Sequence, residues 1–344
     1  MLGVEAATKS VDEIQSSGTN YRSMILDLIF AALLLALLGY GGLYLVPAIS
    51  GEPRTSSKVL LLITLLPVAT VLVLSVIERW VPAAGPRKSL RAWFLHLQIF
   101  IFYLFLAGIA GALLTMGYAS VAHHLGLKVG FIDIRFVGGT DLLKSLVAAW
   151  ISFALIFDFF FYWLHRACHT VPVLWAHHKM HHMDKELDAL TYLRQNWIEA
   201  FISAAFITLP MAVFFKVDPV HPWELGIIGG ATVVVFRTFL ALGHMNVRLQ
   251  VGRASLFYCS PQVHRIHHSC LPQHRDKNFA FGLPLWDLLF GTYYAPAWNE
   301  FPPTGVEGEK EISSFWESQI FTQREWWRMF SAWRKQVRAA RKAA

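Results

Sequence analysis

The chain has 344 residues, 55% of them hydrophobic and only 15% charged, with a mean hydropathy of +0.43. A soluble protein of this length carries about a quarter charged residues, so an ordinary soluble enzyme is excluded and a polytopic membrane protein is expected. The net charge of +7 matches the Lys/Arg excess of cytoplasmic loops, and no nucleic-acid partner is needed to explain it.

Residues 1–22 are polar, carry both signs of charge and lack the basic-then-apolar layout of a signal peptide. They are expected to form a cytoplasmic tail. Residues 23–140 then hold three apolar spans. The first covers 24–48, with Asp27 near one end; the second covers 59–77 and includes Pro67; the third covers 92–117, with His96 and Gln98 near its start. A fourth, 145–164, has Asp158 as its only charge. Each has a length suited to crossing a bilayer. Stretches 200–215 and 225–236 are short for a full crossing, and Pro219 and Pro222 break the chain between them. They read as a helical hairpin, only partly sunk in the bilayer, that returns the chain to its starting side.

That topology puts the residues after 164 and those after 243 on one face. The loop "ERWVPAAGPRKSLR", with Arg79, Arg87, Lys88 and Arg91, falls on the same face, as does the basic tail 301–344. The positive-inside rule makes that face cytoplasmic. Trp326, Trp327 and Trp333 of the tail are expected at the membrane interface beside its arginines. Cys168, Cys259 and Cys270 form no CxxC pair and read as small apolar fillers on a reducing side.

Histidines gather on this face. "HRACH" spaces His165 and His169 at i, i+4, one helix face. "HKMHH" spaces His178, His181 and His182 at i, i+3, i+4, and "HRIHH" repeats that spacing with His264, His267 and His268. His244 ends the last apolar segment. Nine imidazoles are too many for one metal ion and about right for two. Imidazole suits iron, zinc, copper and nickel, so the ligand type does not name the metal. The H-E-x-x-H of zinc peptidases is absent, as is the E-x-x-H of soluble di-iron bundles. His123 and His124 fall on the opposite side and are read as non-functional, together with His96, His221 and His274. The expected fold is all-α: a polytopic membrane helical bundle with a cytoplasmic helical cap that carries a histidine-rich dimetal site.

At these residues the chain resembles the fatty acid hydroxylase/sterol desaturase superfamily of integral-membrane, non-haem di-iron oxygenases. The shared pattern is HxxxH, HxxHH, HxxHH. "LWAHHKMHHMD", "GHMNVRL" and "DKNFAFGLPLWDLLFGTYY" are also similar to family stretches. The resemblance covers roughly residues 145–295, so residues 141–300 are expected to be the catalytic domain. One departure stands out: many relatives carry Arg-x-His-Pro-x-Glu near "LTYLRQNWIEA", where this chain has Asn196 and Trp197 between Arg194 and Glu199.

The resemblance implies two iron ions (Fe2+/Fe3+) held by the nine histidines, O2 as co-substrate, and hydroxylation or desaturation of an unactivated C–H position of a membrane lipid. It also implies a bacterial inner membrane or an endoplasmic-reticulum-type membrane as the location. The stretch at residues 1–344 shows no G-x-G-x-x-G, no clustered cysteines and no C-x-x-C-H. Electrons are therefore expected from a separate ferredoxin or b-type cytochrome with its reductase. Asp158 lies seven residues before His165, on the same helix face, and is expected to orient a ligating histidine. Asn278 and Glu199 are candidate catalytic residues, and Asp184, Asp276 and Asp287 are further candidate orienters. Spacing leaves open whether His177 or His178 binds metal; the repeat of the HxxHH spacing and the family pattern both favour His178. A membrane metal-ion transporter or binding protein is the competing reading.

Overall fold

A computed structural model describes residues 54–81, 83–133, 142–216, 234–280 and 282–343. The expected tail 1–22, the span 24–48 and the segment with Pro219, His221 and Pro222 lie outside the described residues. Nine α-helices are described: α1 Arg54–Ile77, α2 Leu90–His124, α3 Leu142–Thr170, α4 Pro172–His182 and α5 Trp197–Phe214, then α6 Val234–His244, α7 Pro261–His267, α8 Leu285–Phe290 and α9 Phe315–Ala343. No strand is found among the described residues, only isolated bridges. The protein is an all-α bundle.

Leu90–Gly111, Val147–Thr170 and Trp197–Phe214 are long and apolar enough to cross a membrane. The last of these differs from the short arm expected over 200–215. Asn196 starts the helix earlier, because its side-chain oxygen accepts from the Ile198 and Glu199 amides at 2.9 and 3.3 Å. Asn is among the best N-cap residues, and 18 residues then reach about 27 Å. Of the returning arm expected over 225–236, residues 225–233 lie outside the described residues; the described part, α6, continues to His244.

α2 packs most extensively on α5, and α3 packs on both α4 and α5. One core joins Phe100, Ile101 and Leu104 of α2 to Ala200 and Ala241; a second joins Phe153 and Phe157 of α3 to Met211, Phe215 and Phe236. Leu113, Val147, Ile151, Phe206 and Leu209 are exposed on the outside of the bundle. Such apolar surface is what lipid chains cover.

α2 and α5 run away from the histidine end, and α3 and α6 run towards it. At the far end the chain after α2 is tied to the end of α5: Gly130 N donates to Val213 O and Ile132 N to Phe214 O, each at 2.8 Å. Gly130 has φ +77° and passes so close to Lys216 that a Cβ would lie 2.7 Å from its Cα. Only glycine fits there. At the near end α4, α7 and α8 form a cap beyond the spans. The first half of α9 and the segment before it clamp α4 through Lys179, which bonds Glu325 of α9 and, at 2.7 Å, Glu309 ahead of it. Further along α9, Trp327, Phe330 and Trp333 are exposed.

His124 closes the 35-residue α2, about 40 Å along the helix from His96 at the cap end. Cys270 is free and exposed in the cap, whereas Cys168 and Cys259 are buried. In sealed vesicles a membrane-impermeant maleimide is therefore expected to reach Cys270 from one side and a His124→Cys variant from the other. Labelling of both from the same side would overturn this topology.

Candidate metal centre

The bend at Val171 and Pro172 folds α4 back so that its HxxHH face meets the last turn of α3. α7 supplies the second HxxHH, and α6 brings its terminal histidine between them. The nine histidines are brought together in two groups, the ring nitrogens of each lying within 4.8 Å of one another. One group holds His165, His169, His178, His182 and His267; the other holds His181, His244, His264 and His268. All are buried except His169, which is partly so.

Each HxxHH divides the same way. Its i and i+4 histidines join one group and its i+3 histidine joins the other, with the assignments swapped between α4 and α7. Helix geometry requires a split of this kind: i+3 and i+4 point about 100° apart, while i and i+4 differ by about 40°. The groups abut where His182 stacks on His268, ring centroids 4.3 Å apart.

The outward nitrogens fix the inward ones. His165 Nδ1 is 2.7 Å from Phe279 O, His267 Nδ1 is 2.8 Å from Lys277 O, and His244 Nδ1 is 2.7 Å from Leu240 O. A carbonyl only accepts, so in each case Nδ1 carries the proton and Nε2 keeps its lone pair. Within the groups, Nε2 atoms face Nε2 atoms: His264 to His244 at 2.9 Å, and His182 to His178 at 3.1 Å. The Nε2 atoms of His165, His169 and His267 are buried with no partner. Burial, reinforced by neighbouring rings, holds His178, His181, His182, His264, His267 and His268 well below the usual imidazole range. They are neutral, the form that binds metal. Unpartnered lone pairs converging in a dry interior fit two metal ions, one per group.

A buckle from the end of the domain sets these carbonyls. Asp287 accepts from Phe279 N at 2.8 Å, Ala280 N at 2.7 Å and Thr292 Oγ1 at 2.6 Å. Asn278, held at φ +58°, donates to Val263 O at 3.2 Å and Tyr294 O at 3.1 Å, and accepts from Tyr294 N at 2.8 Å. Its side chain is committed to backbone beside α7. Asp276 has φ +59° in the same turn. Asp158 is fully buried in α3 and stands outside both histidine groups. Burial pushes the Cys259 thiol up, with Asp287 and then Asp158 adding to it.

His177 also stands outside both groups: its Nδ1 faces a Glu199 carboxylate oxygen, and Ser203 Oγ donates to the other at 2.9 Å. Asn196, at the departure from the family pattern, donates to His177 O at 3.3 Å and Thr322 Oγ1 at 2.7 Å besides capping α5. Arg194 is fully buried and bonds Met180 O and, at 3.0 Å, Glu311.

The cationic loop holds a polar network that its sequence did not reveal. Lys88 is buried and donates to Asp184 at 2.8 Å, Asp188 at 3.0 Å and Thr191 at 3.3 Å, with His96 Nδ1 at 2.8 Å. His96, Asp184 and Asp188 lie close enough to bind an ion, but the Lys88 ammonium fills their centre. Burial opposes it, yet Lys88 holds the Asp184 carboxyl well below the usual carboxylate range. His96, read as non-functional, belongs to this brace. Asn246 ties the same loop down, accepting from Ala84 N at 3.0 Å and Gly85 N at 2.9 Å. Arg87 bonds the carbonyls of Glu78, Arg79 and Val81. His274 is buried between Ser269 at 2.9 Å and Glu300 at 3.0 Å, also a structural role. The signal for Lys88 was weak, since a basic residue in a short loop is already explained by topology.

Residues 150–292 match the sequence profile of the fatty acid hydroxylase family. The chain carries a fatty acid hydroxylase domain. Its relatives include the human alkylglycerol monooxygenase, 32% identical over 146 residues, which are 42% of this chain and 31% of that one. An ornithine lipid hydroxylase of Rhizobium tropici is 28% identical over 155 residues, covering 45% of this chain and 44% of that one. A very-long-chain aldehyde decarbonylase of Oryza sativa subsp. indica is 29% identical over 163 residues, 45% of this chain and 25% of that one. The matches thus span less than half the length of these relatives. No solved structure matches.

Two outcomes follow from this geometry. His178→Ala is expected to lose bound metal and His177→Ala to keep it, as elemental analysis of the purified variants measures; equal loss would place the ligand face elsewhere. Lys88→Met leaves two buried carboxylates facing each other and is expected to cost about 3–5 kcal/mol, read as a lowered thermal unfolding midpoint with Lys88→Arg as the milder control.

Proposed function

We propose that this chain is an integral-membrane di-iron oxygenase that hydroxylates or desaturates an unactivated C–H position of a lipid. The observation that carries the reading is the two-group cluster of nine histidines inside a fatty acid hydroxylase domain. It is supported by relatives whose names describe oxidation of lipids. The five- and four-histidine groups would each hold one iron. Bound there, the pair would activate O2 and supply the oxidant for C–H attack.

The chain's own part is to position and exclude. Phe279, Lys277 and Leu240 carbonyls hold three rings in the ligating tautomer. Asp287 and Asn278 keep that carbonyl frame rigid, and Asp158, buried in the same helix as His165 and His169, is the candidate to orient a ligating histidine. Glu199 lies at the cavity wall, where its carboxylate holds His177 and Ser203. A cavity lined by Phe157, Phe161, Ile207 and Leu240 adjoins the histidines. It admits an apolar chain from the bilayer and keeps water from the reacting position. The cap faces the cytoplasm in this reading, where a separate ferredoxin or b-type cytochrome delivers electrons.

Comparative lipid mass spectrometry of cells with and without the gene is expected to show a species gaining one oxygen or losing two hydrogens. Purified protein is expected to contain two metal ions and to need an added electron carrier for repeated turnover. An unchanged lipid profile, with one metal or none in active protein, would overturn the reading.

A further inference from the structure

The cavity beside the histidines has a volume of about 270 Å³. That is roughly the space of nine waters, at the small end of ligand sites. Most of its wall is apolar, but one side is not. Tyr192, Gln195, Glu199, Ser203 and Arg237 line it together with Tyr103. Arg237 projects from α6, seven residues and about 10 Å of helix before His244.

An arginine inside a membrane-spanning bundle is costly unless its charge is answered. Glu199 is the one carboxylate among the lining residues, and it is already engaged by His177 and Ser203. The same wall has hydrogen-bonding capacity left over. The Tyr192 hydroxyl is buried, at 2% exposure, and has no partner; Gln195 Oε1 has none either. Burial pushes the Tyr192 hydroxyl up and the Arg237 guanidinium opposes it, and both groups line this one cavity. A buried hydroxyl without a partner loses about 1–3 kcal/mol. A ligand that satisfies both groups at once recovers that.

We propose that Arg237 and Tyr192 form a subsite for an ionised carboxylate on the substrate chain. This deepens the lipid-oxygenase reading and rests on it for the word substrate. A carboxylate meets the guanidinium fork with two parallel hydrogen bonds and takes a third from the Tyr192 hydroxyl. The Gln195 amide, once turned to present its NH2, adds a fourth. An alcohol fills the same volume but brings no charge to the guanidinium. Because the subsite and the histidines share one chamber, the oxidised carbon lies within about 10 Å of the carboxylate. The rest of the chain leaves towards the bilayer.

The test is equilibrium binding of tritiated octanoate to the full chain in nanodiscs of zwitterionic lipid at pH 8, competed by octanol and by octane, with empty discs as the partition blank. A charge-assisted pair is worth about 1.5–3 kcal/mol, so octanoate is expected to bind about tenfold or more tightly than octanol. Arg237→Leu and Arg237→Gln are expected to erase that preference, Arg237→Lys to keep part of it, and Tyr192→Phe to weaken octanoate alone by about three- to tenfold. Near-UV circular dichroism identifies any variant that fails to fold, and the native comparison of octanoate with octanol needs no variant. Octanol binding as tightly as octanoate, or a preference that survives in folded Arg237→Leu, would overturn the proposal. Binding requires no turnover, so an octanoate preference in a protein that oxidises nothing overturns only the oxygenase reading, and a working oxygenase without the preference overturns only the subsite.

Discussion

Nine imidazole rings share one dry interior, and their lone pairs must be answered there. Neutral histidines are amphoteric, so each ring can satisfy a neighbour only through its one N–H. Three of those protons are spent outward on backbone carbonyls, and the inward nitrogens are left facing each other. Unpaired acceptors in a low-dielectric site cost several kcal/mol in sum. Among the described residues no cation takes up those lone pairs, in contrast to the His96–Asp184–Asp188 cluster, where Lys88 does so. The comparison within one molecule separates a brace from a binding site.

Most of the architecture can be understood as holding those rings against relaxation. The helix ends that carry them come from two stretches of chain, α3–α4 and α6–α7, more than 60 residues apart between His182 and His244. Each is pinned by a different device. Asn246 and Lys88 fix the loop before α2 against the segments after α6 and α4. Asn196 caps α5 and holds the His177 carbonyl, while Asp287 and Asn278 buckle the closing stretch under α7. The pinning groups are mostly single polar side chains bonded to backbone. Hydrogen bonds of that kind fix position without adding charge near the rings.

The histidine pattern, the number of metal-sized groups and the helical class were legible in the sequence, because i, i+3, i+4 spacing projects directly onto one helix face. Three features were not. The start of α5 was hidden because capping by Asn196 depends on where the helix begins, and apolar length alone gave a shorter segment. Lys88 was hidden because topology already accounted for a basic loop residue, and only tertiary contact with Asp184 and Asp188 buries it. The polar wall of the cavity was hidden for a similar reason. Tyr103, Tyr192, Ser203 and Arg237 sit on different elements, and no local spacing joins them. The division of each HxxHH between two groups was latent in the 100° step but needed the swap between α4 and α7 to become visible.

The distribution of carboxylates ties these parts together. Asp158, Asp184, Glu199 and Asp287 are all buried, yet none belongs to either histidine group. Asp287 reaches His165 only through the Phe279 backbone, Glu199 touches the one clustered histidine left out of the groups, and Asp184 is neutralised by Lys88. The donors themselves therefore bring no negative charge to the centre. Any cations held there keep their full charge in a low-dielectric chamber, and Arg237 adds one more at its wall. A neutral hydrocarbon is indifferent to that field. A chain bearing an acid group is drawn into it and oriented by it, with its acid end at the wall and its C–H bonds towards the rings.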